Sequence, residues 1–186
     1  MYEFSGYEFA VTQRAEGKWI WARIGLISLY TVWSVIAVLL AFRLRLVVPL
    51  LAFLPLSIWI LVFITWRFVQ VEYEYDILSG RLTFSRILGG KSRRDLFEIA
   101  IKDAVRIAPL DKEGERERIA AYRPEKVFRG VSSDSAPDIY YMLFEFKPAK
   151  DKEPIRAVYY FEATAKALSL MRSYNPVGTV LTPVSR

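Results

Sequence analysis

The sequence predicts two architectures in series: a helical hairpin that crosses a membrane twice, and a mainly-β soluble domain of about seven antiparallel strands capped by a C-terminal helix. Three observations predict this. Two long uncharged apolar runs, residues 24–42 and 46–66, stand close together near the N-terminus. From Val69 the hydrophobic period becomes two, the spacing of half-buried strands. Near the end it changes again, with Ala167, Leu168, Met171 and Tyr174 at helical spacing. The division that follows is an N-terminal interfacial segment (1–23), the hairpin (24–67), the soluble domain (68–176) and a C-terminal tail (177–186).

Composition narrows the field. The 186 residues are 53% hydrophobic, with mean hydropathy +0.20, against roughly 45–50% apolar for a soluble domain. The excess lies between Ile24 and Trp66. An all-soluble globule, a disordered chain and a many-pass transporter are therefore excluded. The net charge of +6 divides equally between residues 1–67 and 68–186. A nucleic-acid-binding domain needs a dense basic face, so no nucleic-acid partner is expected. There are no cysteines or histidines, which excludes disulfides, thiolate chemistry, Cys/His zinc sites and a His general base. Absent cysteine fits a reducing compartment.

Each run of nineteen or twenty-one residues reaches about 30 Å as a helix, the thickness of a bilayer core. A soluble core helix has no reason to be apolar on every side for that length. Arg43, Leu44 and Arg45 separate the runs. Two charges there must surface rather than sit at mid-bilayer, so the chain turns tightly. Pro49 falls in the first turn of the second helix, where its missing N–H costs little, and Pro55 should kink that helix.

A hairpin returns both flanks to one side. Arg14, Lys18, Arg23 and Arg67, Arg81, Arg86 lie on that side, against two arginines at the far tip. The positive-inside rule puts both termini in the cytoplasm and the chain in the cell membrane. Trp19, Trp21, Arg23, Trp66 and Arg67 should anchor one interface, and Arg43 and Arg45 the other. Glu3, Glu8 and Glu16 argue against a cleaved leader. The preceding YEFSGYEF reads as an aromatic segment lying on headgroups or on the soluble domain. GxxxG is absent, and Gly25 with Ser28 is the only small pair near one face, so homo-oligomerisation stays open.

VEYEYDI alternates: Val71, Tyr73, Tyr75 and Ile77 face inward, and Glu72, Glu74 and Asp76 face solvent. Ser79-Gly80 turns the chain. Leu82 and Phe84 mark the next strand, which Gly89-Gly90 ends. Strands follow at Phe97–Ile101, Val105–Ile107, 125–131 (weakly), Ile139–Phe146 and Ile155–Phe161. DKEGERER (111–118) and SSDSAPD (132–138) read as solvated loops, and AKDKEP as a turn. Asn175-Pro176 stops the last helix. A curved sheet closed at one end by a helix results.

This order resembles a pleckstrin-homology-like (PH-like) domain. The hairpin, followed by VEYEYDILSGRLTFSRILGGKSRRDLFEIAIKDAVRIAP and a terminal ALSLMRSYNP, is similar to an uncharacterised family of small Gram-positive bacterial membrane proteins with a cytosolic PH-like domain. The likeness covers residues 15–176. It implies a fold and a topology but no reaction.

Few residues suggest chemistry. Glu72, Glu74 and Asp76 stand about 7 Å apart along one strand face, but a metal site needs ligands from other elements as well. Gly89-Gly90-Lys91-Ser92 lacks the earlier glycine of a phosphate-binding loop. No catalysis, metal or cofactor is expected. Lys91, Arg93 and Arg94 are the best candidate site. One strand leaves the bilayer and the next returns, so this loop should meet anionic headgroups. The expected function is a membrane-anchored binding or scaffolding module at the inner face of the membrane, with a membrane or cytosolic protein as partner. The alternative is an anionic-lipid sensor using the basic loop.

Overall fold

A computed structural model of the chain describes residues 6–147 and 153–186. The first YEF (residues 2–4) and most of the AKDKEP turn lie outside these. The chain divides into two compact units. One holds residues up to Gln13, Glu72–Ile87 and Arg93–Arg186; the other holds Arg14–Val71 and Leu88–Ser92.

The second unit is built on two helices, α1 (Lys18–Arg43) and α2 (Val47–Thr65). Both are long and apolar enough to cross a membrane. Within them Ala41 alone is buried. Water would disfavour so much open apolar surface at about 25 cal/mol per Å². They run antiparallel: the Tyr30 hydroxyl meets Thr65 Oγ1 at 2.5 Å, and Trp33 Nε1 donates to Ser57 Oγ at 3.1 Å. Hydroxyls of Thr31, Ser34, Ser57 and Thr65 donate to carbonyls within their own helices. These hydroxyls and the indole N–H thus find partners within the two helices, as a lipid setting would require. The turn between the helices is a Schellman motif. Leu46 N–H donates to Ala41 O and Arg45 N–H to Phe42 O, with Arg45 in the left-handed region at φ 56°.

The first unit contains two four-stranded sheets. One has the order β1 (Tyr7–Thr12), β2 (Val71–Leu78), β3 (Arg81–Leu88), β4 (Ser92–Ala100). The other comprises β5 (Arg106–Pro109), β6 (Lys126–Gly130), β7 (Ile139–Phe146) and β8 (Ile155–Glu162), in the order β5-β7-β8-β6. Phe84 and Phe97 from the first sheet meet Tyr159, Phe128 and Phe144 from the second, with ring centres 4.4–5.2 Å apart. Ala167, Leu168 and Met171 of α4 (Ala165–Tyr174) join the same core. Thr164 caps α4 by accepting from Ala167 N–H at 3.2 Å.

Four features differ from the sequence expectations. Tyr7–Thr12, expected to be an interfacial segment, is an eighth strand, antiparallel to β2 from Tyr7↔Ile77 to Thr12↔Glu72. Its inward residues Tyr7 and Phe9 pack on Tyr75, a gain that headgroups cannot match. β6 pairs with β8 in parallel. Two reversals through β7 restore the β6 direction, and β8 then lies between β7 and β6.

The 111–118 stretch is only partly a loop, because Glu115–Tyr122 forms α3. Ile119 and Tyr122 of α3 cover Ala108, Tyr141, Leu143 and Val158 on the outer face of the second sheet. Finally, the 177–186 stretch is docked. Val180 N–H donates to Ile107 O, Ile107 N–H donates to Gly178 O, and Thr179 bridges Ile107 in parallel. Buried Asn175 anchors this turn: its Nδ2 donates to Ile101 O and Ala104 O, and its Oδ1 accepts from Gly178 N–H.

Candidate functional site

The Leu88–Ser92 turn carries Lys91, the first of the three expected site cations. Gly89 and Gly90 both adopt positive φ, 59° and 65°. Gly89 N–H donates to Gln70 O at 2.8 Å, and a Cβ on Gly89 would lie 2.6 Å from Arg67 Cβ. Glycine is what lets the turn close onto the Arg67–Gln70 segment. Lys91 Nζ then stands 5.1 Å from the Phe63 ring centre, over the last turns of α2. Arg23 Nη2, from the start of α1, reaches Val69 O at 3.4 Å. Antiparallel packing thus brings Lys18, Trp19, Trp21, Arg23, Trp66, Arg67 and Lys91 to one end of this unit, and leaves Arg43 and Arg45 at the other.

Arg93 and Arg94 are consecutive on β4, so they face opposite sides of the strand. Arg93 pairs with Glu74 at 2.5 Å and with Asp95 at 3.4 Å. Asp95 also accepts from Ser85 Oγ at 2.7 Å, and that bond holds its carboxyl below the usual range. Glu74 is 5% exposed, although strand alternation had placed it on the solvent face. It lies on a central strand, flanked by β1 and by the Arg93 side chain, and the strand β1 that covers it was not expected. Burial pushes its carboxyl upward, with Arg93 pulling the other way. Arg94 is exposed and has no ion pair among the described residues. The three cations therefore occupy three environments.

Other buried carboxylates are also tied down. Glu115, 2% exposed, accepts from Arg106 Nε at 2.9 Å, from Arg106 Nη2 and from the Tyr141 hydroxyl. The Arg106 bonds hold Glu115 below the ordinary carboxylate range. Glu162 accepts from Arg186 Nη1 at 2.6 Å and from Ser132 N–H at 2.7 Å. Among the described residues, no group of three or more acidic side chains is arranged to hold a metal ion.

One feature was illegible in the sequence. A cavity of about 320 Å³ opens beside α3, with Arg116, Arg129, Asp134 and Tyr160 among its lining residues. Two of its apolar members, Ile119 and Val131, flank the stretches read as solvated loops, Ile119 just after 111–118 and Val131 at the end of the weakly expected strand 125–131.

The family model described as bacterial PH-like domain (DUF6106) matches residues 6–180. The chain belongs to this family. The match begins just ahead of β1 and extends past α4, so it takes in both apolar helices between β1 and β2. The two sheets and the C-terminal helix are those of a PH-like domain. No curated protein and no solved structure matches the chain.

Proposed function

We propose that this PH-like protein is a membrane-anchored binding or scaffolding module, held at the inner face of the cytoplasmic membrane by the α1–α2 hairpin. One observation carries the reading. The strand before the hairpin pairs with the strand after it, so both ends of the hairpin must return to the same side. The open apolar faces of both helices support lipid as their surroundings. The charge bias favours the cytoplasmic side. The module acts by binding rather than catalysis: the buried carboxylates Glu74, Glu115 and Glu162 are each paired with an arginine. Its partner is another membrane or cytosolic protein, which in-membrane crosslinking would recover.

The chain has no native cysteine, so topology can be read one site at a time. Leu44→Cys at the tip should react with an impermeant maleimide on intact cells. Lys102→Cys in the soluble unit should react only after lysis. The reverse pattern overturns the inner-face assignment; reaction of both sites on intact cells, or of neither, overturns the two-span reading.

The cations gathered at one end of the hairpin favour a second reading, anionic-lipid sensing through Lys91, Arg93 and Arg94. Each cation is worth about 1 kcal/mol near a charged surface, but Arg93 is already engaged by Glu74. Lys91→Ala with Arg94→Ala should therefore remove most of any thermal stabilisation by phosphatidylglycerol over phosphatidylcholine nanodiscs. An unchanged preference refutes lipid sensing by this loop.

A further inference from the structure

The cavity beside α3 combines an apolar floor with a cationic rim. Arg129 on β6 and Tyr160 on β8 are register partners across the parallel pair, so their side chains stand together on the outer face of the sheet. α3 brings Arg116 to the same opening, and Ile119 and Val131 line the floor. Burial pushes the Tyr160 hydroxyl upward, while the charges of Arg129 and Arg116 pull it down, so both guanidinium fields converge there. The hydroxyl stays protonated at neutral pH and is available to donate.

The charges at the rim are only loosely committed. Arg116 has no ion pair among the described residues. Arg129 Nη1 meets Asp134 Oδ1 at 2.9 Å, with side chains 63% and 87% exposed. An exposed pair of this kind contributes about 0–1 kcal/mol. A ligand carboxylate partly sheltered by the cavity would form the stronger charge-assisted bonds and displace Asp134. The volume falls at the lower edge of the range for small-molecule sites.

We infer that this cavity is a binding site for a small organic anion, an apolar ring or branched body carrying one carboxylate. The body fills the space over Ile119 and Val131. The carboxylate lies between Arg116 and Arg129, with the Tyr160 hydroxyl as a further donor. The site lies wholly within the β-rich unit, so it stands independently of the membrane reading.

The test is calorimetric titration of the full chain in lipid nanodiscs, with empty nanodiscs as the blank. Naphthalene-2-carboxylate is the probe; acetate supplies the head alone and 2-naphthol the body alone. The expected result is saturable one-site binding of the naphthoate, at least tenfold tighter than either half. Arg116→Ala with Arg129→Ala should weaken it tenfold or more. Asp134→Asn, which removes the competing carboxylate, should tighten it two- to fivefold, an effect that general loss of structure would not produce. Val131→Trp should block the floor with the charges intact, its fold checked by an unchanged melting temperature. Should Val131→Trp lower the melting temperature, Asp134→Asn decides alone. No saturable naphthoate binding, equal binding of 2-naphthol, or unchanged affinity in the double arginine variant or in Asp134→Asn would each overturn the assignment.

Discussion

The pairing of β1 with β2 makes a sharp prediction, because its last register pair is Thr12↔Glu72. Those two residues sit opposite one another, so a two-residue Asn-Gly turn can join them directly. Replacing everything between Thr12 and Glu72 with Asn-Gly should give a water-soluble, folded monomer. The same chain lets the contribution of β1 be measured. The Phe9 ring packs 5.6 Å from Tyr75 and is partly buried against the core. Full truncation of a buried Phe costs about 3–5 kcal/mol, so half-burial puts Phe9→Ala near 2 kcal/mol. At about 3–5 °C per kcal/mol for a domain of this size, Phe9→Ala should lower the melting temperature by roughly 6–10 °C, read by circular dichroism. Residues 72–186 alone should melt lower still or fail to fold, leaving Tyr75 and Glu74 uncovered. If Phe9→Ala melts with the parent, or residues 72–186 alone match the joined chain, then β1 is not part of the sheet and the same-side argument for the hairpin goes with it.

Two further outcomes follow from local geometry. Glu115→Ala should destabilise the β-rich unit by about 3–5 kcal/mol, because it strands the Arg106 guanidinium. Since the folded pKa of Glu115 lies below its ordinary value of 4.5, its stabilisation is complete above that pH and is lost as pH falls through the folded value. Glu115→Gln should therefore flatten the acid limb of a stability–pH curve measured in denaturant; an unchanged limb counts against the ion pair. At the Leu88–Ser92 turn, Gly89→Ala places a Cβ 2.6 Å from Arg67 Cβ, whereas Gly90→Ala meets nothing within 4 Å. Both incur the roughly 1 kcal/mol strain of positive φ, so Gly89→Ala should be the more damaging by 1 kcal/mol or more in thermal melts in nanodiscs; equal effects would refute the close approach.

Much was legible before any coordinates. Both apolar helices and the last helix lie where apolar length, period and turn residues placed them, and so do the seven expected strands except that β4 begins at Ser92 rather than Phe97 and takes in Arg93 and Arg94, because each is set by local alternation or by the length of an apolar run. Strand β1 was not legible. Tyr7, Phe9 and Val11 alternate as any strand does, but their partner β2 lies beyond the hairpin, and no local pattern reports a pairing across an insertion. The helix α3 was missed because charge dominates its window. Its trace was the unbroken apolar run Tyr140–Phe144 in β7, which needs cover on both faces.

By itself, then, the sequence determined where the chain is lipid-compatible, where it turns, and which faces of its strands are apolar, since these depend on near neighbours. Tertiary structure decided which charges are spoken for. Lys91, Arg93 and Arg94 are adjacent in sequence yet differ in environment, because strand pleating points neighbours to opposite sides and a carboxylate on β2 claims Arg93. It also decided that Arg116, Arg129 and Tyr160 share one opening. This cavity and the Arg93–Glu74 pair join residues that meet only once the chain has folded back on itself, so their positions depend on packing geometry that linear order does not encode.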